Sequence, residues 1–115
     1  MNASFESALT EVAAVPGVRA VLLASEREGL ALNAMAAFGV DGDALAAFGT
    51  ALYRRARLAS EAAGYGATRQ IVLDATGGRM LVTGCGDLVL VVLAERETGA
   101  GMVRMAMQRA ARAVR

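Results

Sequence analysis

Cys85 is the single cysteine of this 115-residue chain, and it stands between Gly84 and Gly86. A thiol becomes nucleophilic or redox-active when a histidine, a second cysteine or a metal lowers its pKa. The chain holds no histidine, so Cys85 is expected to be a small, half-buried turn residue, and no disulfide can close within the chain. Gly77-Gly78, Gly84-x-Gly86 and Gly99-x-Gly101 invite a phosphate-loop reading. The last of them opens an expected helix, where unpaired backbone N–H groups can hold an anion. None carries the lysine and Ser/Thr of a P-loop, and turns plus a helix start account for all three.

All twelve basic residues are arginine. Without lysine there is no Schiff base, no lysine general base and no P-loop lysine. Without histidine the usual general base, the usual metal ligand and the middle member of a hydrolase triad are gone. The sequence therefore predicts no enzyme, no catalytic residue, no cofactor and no metal. A net charge of +1 gives no reason to expect nucleic acid as a partner.

The chemistry that remains is recognition. Arg54, Arg55 and Arg57 cluster on an expected long helix with Tyr53 and Glu61. One reading is a solvated helix face, with Arg57 and Glu61 spaced for an i,i+4 pair. The sharper reading makes Tyr53, Arg54, Arg57 and Glu61 a partner surface, since tyrosine and arginine are enriched at binding hot spots. Arg55 falls inside the apolar arc, from which it would snorkel out or reach an acid on another copy. Arg104, Arg109, Arg112 and Arg115 are scattered around the last helix and suit its negative end.

The elements that must position these residues follow from periodicity. Asn2 to Val15 reads as an amphipathic helix, capped by Asn2 or Ser4, with Phe5, Ala8, Leu9, Val12 and Ala13 inward. Pro16-Gly17 ends it. Val18–Ser25 and Leu30–Met35 read as a hairpin around Glu26-Arg27-Glu28-Gly29. Asp41 or Asp43 caps the long helix, which reaches about Ala63 before Gly64 and Gly66. Leu45, Phe48, Leu52, Ala56, Ala59 and Ala63 form its apolar stripe, widened by Ala44, Ala47, Ala51, Leu58 and Ala62. The opposite face carries Thr50, Tyr53, Arg54, Arg57 and Glu61. An arc so wide leaves one flank for the sheet and another for a second helix.

Thr68–Ala75, Arg79–Gly84 and Leu88–Ala94 read as three further strands, the last apolar at every position and so central. A final helix from about Gly99 to Val114, capped by Thr98, is expected to turn Met102, Met105, Ala106, Ala110, Ala113 and Val114 inward, its methionines filling the core. The order α-β-β-α-β-β-β-α predicts an α/β (α+β) domain over residues 1–115. Its five-stranded, mostly antiparallel sheet is sandwiched by helices. No run approaches the ~20 apolar residues of a membrane span. The first residues lack the basic start and apolar stretch of a secretory signal, so a cytoplasmic location without direct membrane insertion is expected.

Val15-Pro16-Gly17-Val18-Arg19-Ala20-Val21-Leu22-Leu23, Glu28-Gly29-Leu30-Ala31, Ala44-Leu45-Ala46-Ala47, Gln70-Ile71-Val72-Leu73, Gly78-Arg79-Met80-Leu81-Val82 and Met102-Val103-Arg104-Met105 recur in this order. Together they resemble the Roadblock/LC7 family, the dynein-light-chain-like regulators of nucleotide hydrolases with a profilin-like architecture. Ala20 stands where the family often has glycine, and Glu28 where it often has aspartate. The resemblance implies a homodimer in which third strands pair and long helices pack side by side. Here that would use Gln70, Ile71, Val72 and Leu73 with Ala44, Ala47, Ala51, Leu58 and Ala62. Thr68–Ala75 would otherwise be an exposed edge, a hazard unless paired. Bacterial single-domain members resemble partners or activating factors of small Ras-like GTPases, acting by reshaping switch loops. A scaffold or adaptor in a signalling or motility complex, or a small-molecule sensor, are the other functions such a domain serves. Two dimers stacked as a tetramer also remain open.

Overall fold

The computed structural model describes residues 3–114, with side chains from Glu6 to Val114. The expected cap Asn2, the Phe5 side chain and Arg115 lie outside the described residues, and Ser4 is already within the first helix. The elements run α1 (Ala3–Ala13), β1 (Val18–Ser25), β2 (Ala31–Ala36), α2 (Gly42–Ala62), β3 (Gln70–Ala75), β4 (Gly78–Cys85), β5 (Leu88–Ala94) and α3 (Ala100–Val114). The order matches the expected one, and element ends move by one or two residues.

The strands form one antiparallel sheet in the order β2-β1-β5-β4-β3. As its unbroken apolar run requires, β5 sits in the middle. Two-residue turns at Thr76-Gly77 and Gly86-Asp87 join β3, β4 and β5 in register, with Val82 opposite both Ile71 and Val91. A bulge between Leu23 and Ala24 bends β1 where β2 leaves it. The edges are β2 and β3.

Alternation along the strands divides the core into two. Val21, Leu23, Leu81, Leu90 and Val92 face α1 and α3 and meet Leu9, Val12, Val103 and Met107. Ala20, Leu22, Val82, Val89 and Val91 face α2 and meet Leu45, Ala46 and Tyr53. The last helix is rotated from its expected setting. Val103, Ala106, Met107, Ala110 and Ala111 are buried, while Met102 and Met105 are about 60 % exposed, at 63% and 60%. Only Met107 among these three methionines fills the core. Thr98 does not cap α3, because its buried hydroxyl makes no hydrogen bond.

Candidate functional site

The site comprises α2 and the edge strand β3. Asp41 starts the helix, its carboxylate accepting the Ala44 N–H at 3.1 Å, and Ala63 ends it. Beyond, Gly64 and Gly66 both adopt left-handed φ (82° and 84°), a conformation that glycine reaches without a Cβ penalty. Leu45, Ala46, Gly49, Thr50 and Tyr53 are the buried residues of the helix. Gly49 lets the helix lie almost on the sheet, since a Cβ there would come within 2.8 Å of Val91 Cγ2.

This orientation corrects the expected one. Tyr53 belongs to the sheet-facing side: its ring passes over Gly84, where a Cβ would collide with the phenol, and its hydroxyl donates to the Thr68 carbonyl at 2.9 Å. Burial first, and then the Glu26 carboxylate, raises its pKa above the ordinary 10.0. Thr50 is also buried, its hydroxyl donating to the Ala46 carbonyl at 2.8 Å. Neither stands on an exposed face. Gly49 and Gly84 were the signals for this arrangement, because each removes a side chain where two layers touch.

Beside Tyr53, Arg54 and Arg57 reach across to the β1–β2 turn. The Arg54 guanidinium donates to the carbonyls of Glu26 and Arg27, the latter at 3.2 Å. Arg57 binds the Glu26 carboxylate through Nη2 at 2.9 Å and Nε at 3.1 Å. The expected Arg57–Glu61 pair is present but longer, 3.8 Å. So the basic cluster is a strut between helix and turn, with Arg57 one-third exposed and Glu61 about half. Arg55 is exposed.

The outward side of α2 is apolar. At 100° per residue, Ala44, Ala47, Ala51, Leu58 and Ala62 fall within one arc opposite Gly49, and all five are exposed, as is Phe48. In the sheet, β3 is an edge strand with no neighbour on its outer side among the described residues. Val72 is exposed, while Gln70, Ile71 and Leu73 are half-buried. The nine expected interface residues thus fall in two groups, five on the outward arc of α2 and four on β3.

Cys85 is buried at the end of β4, deeper than expected, with its sulfur 3.8 Å from the Thr83 carbonyl. Among the described residues no group of three acids or cysteines is placed to hold a metal, and no helix is long and apolar enough to cross a membrane.

Residues 5–94 match the model of the Roadblock/LC7 domain. Solved structures agree with that match. A Roadblock/LC7 domain from Streptomyces avermitilis is 26% identical, over 95% of this chain and 89% of that one, with a TM-score of 0.79. MglB of Myxococcus xanthus is 16% identical over 96% and 90%, with a TM-score of 0.84. An MglB with a tetrameric arrangement is 22% identical over 99% and 89%, with a TM-score of 0.81.

Proposed function

The chain belongs to the Roadblock/LC7 family, and from that premise we propose that it is a homodimeric, non-catalytic, cytoplasmic regulator of a small Ras-like GTPase, formed by one domain over residues 1–115. Two observations carry the reading together, the exposed apolar arc of α2 and the unpaired edge of β3. An edge strand bearing Ile71-Val72-Leu73 is an aggregation site unless something pairs with it. A second copy satisfies edge and helix at once: β3 joins β3, and Ala44, Ala47, Ala51 and Ala62 are small enough to let the two α2 helices approach, with Leu58 between them. Arg54, Arg57 and Glu61, braced from beneath by Tyr53, then appear twice on the same face and form the surface for the GTPase. The neighbour with a tetrameric arrangement supports self-association as a habit of this fold.

Light scattering on the purified protein tests the platform. A dimer mass is expected for the parent, and a monomer mass for Val72→Glu, which sets a carboxylate on the pairing edge. A monomeric parent would remove the platform and the reading with it. Single-turnover GTP hydrolysis by a Ras-like GTPase from the same cell then tests the role. The rate should change on adding the dimer and stay constant on adding Val72→Glu. Capture of the GTPase with an unaltered rate would make the protein an adaptor instead.

A further inference from the structure

On the other side of the sheet, between β3, the end of β4 and the second half of α3, lies an open cleft of about 780 Å3. Among the described residues its walls carry Thr68, Arg69, Gln70, Thr83, Gln108 and Arg112 and no carboxylate. Thr83 lies between Leu81 and Cys85 on the face of β4 turned to α3, and it pairs with Gln70 across the strands. The Gln70 amide donates to the Thr83 hydroxyl at 3.1 Å and so fixes the floor.

The cleft at the β1–β2 turn is of similar size, about 720 Å3, and shows what sets this one apart. There Glu26, Glu28 and Asp87 share the wall with Arg54 and Arg57, and both arginines are already engaged within the chain. Arg69 and Arg112 have no such partner: the ion pairs among the described residues use Arg57, Arg79 and Arg109. Two uncompensated cations on a wall of neutral donors leave a local positive potential that attracts anions.

We propose that this cleft docks an acidic segment of a partner protein, Arg69 and Arg112 each holding a carboxylate and Gln108 adding an amide donor. Size and exposure favour a segment over a single ion. A cleft of this volume takes a ligand of several residues, and both arginines are exposed, where one ion pair adds little and several together are needed. Gln70 belongs both to this cleft and to the edge that the dimer reading pairs, whereas Arg69, Gln108 and Arg112 are not among the expected dimer residues, and the inference does not depend on the GTPase reading.

Nitrogen-15-labelled full-length protein, titrated at low ionic strength with an end-blocked hexaglutamate peptide, tests it. Backbone amides at Thr68 to Gln70, Thr83 to Gly84 and Gln108 to Arg112 should shift, and those of Glu26 and Arg27 should not. Arg69→Gln combined with Arg112→Gln should weaken binding about tenfold or more. Arg109→Gln, on the α1 side of the same helix, should weaken it less than about twofold. All three positions are exposed, and an unchanged amide dispersion verifies that the variants fold. Shifts spread over the whole surface, no shifts, or equal weakening by Arg109→Gln would each overturn the proposal. Identical shifts at equal concentration with inorganic phosphate would show a site for single oxyanions, and the docked segment would be wrong.

Discussion

Along one flank of α2, Thr50, Arg54 and Arg57 direct their donors to Ala46, Glu26 and Arg27 of the same chain. About a quarter turn further round the helix, Ala44, Ala51 and Leu58 are exposed. The polar flank therefore helps to build the fold, and the apolar side is left over for assembly. Leu45, Ala46 and Tyr53 face the sheet as apolar residues of a helix normally do, so this helix carries a second apolar side in addition to the one it buries. The sheet-facing side can be narrow because Gly49 lets the helix lie close to Val91, and the long polar side chains at its rim find partners within the chain.

Four measurements break or sharpen that contrast. The largest effect is expected at Leu58→Glu, which would leave an unpaired carboxylate in the proposed helix–helix contact at a cost of several kcal/mol. Self-association, followed by sedimentation velocity, should weaken on the order of a hundredfold or more, while the far-ultraviolet circular dichroism stays that of the parent. An unaltered dimer would move the interface off this side of the helix. Next comes Gly49→Val beneath the helix, where added methyls meet Val91. A loss of about 1–3 kcal/mol in urea unfolding is expected.

Third is Tyr53→Phe, which leaves the Thr68 carbonyl without its donor and should cost about 1 kcal/mol. It also carries a pH signature. The folded state holds the phenol above its ordinary value, so this contribution is fully present below about pH 10 and is lost as pH rises through the folded pKa. Between pH 9 and about 11 the parent should lose more stability than the Phe variant. Equal slopes in urea titrations at the two pH values would place the phenol in water. Smallest is the pair on the polar flank. Arg57→Ala should cost roughly 0.5–1 kcal/mol through Glu26, and Glu61→Gln only a few tenths, with the dimer mass unchanged in both. A monomeric Arg57→Ala would erase the distinction between the flanks.

Much of this was legible in the chain. Strand boundaries followed from branched apolar runs and their turns, and β1 and β5 fall where the residues put them. The Asp41 cap also follows from local pattern, whereas the edge position of β3 came with the family resemblance. The facing of α2 and α3 did not. Alanine is nearly as content exposed as buried, so eleven alanine-rich positions on α2 mark an arc without saying which part of it touches the sheet. Tyr53 has an apolar ring and a polar tip, and only its Thr68 acceptor decides which one counts. The Arg54 and Arg57 partners lie about thirty residues away at Glu26, 28 and 31 positions back, beyond any helical spacing. In α3, Met102 and Met105 are spaced as a helix-face pair, but each lies about 100° or more around the wheel from Val103 and Met107, which are the buried ones.

The contact between Tyr53 and Gly84 also constrains how this sequence can vary. A methyl group at position 84 collides with the phenol as it stands, and the phenol cannot swing away without abandoning Thr68. Either change alone is penalised, whereas a smaller side chain at position 53 would make room for one at position 84. The two sites, thirty-one positions apart, form an epistatic pair, and in descendants of this chain they should be inherited together or replaced together.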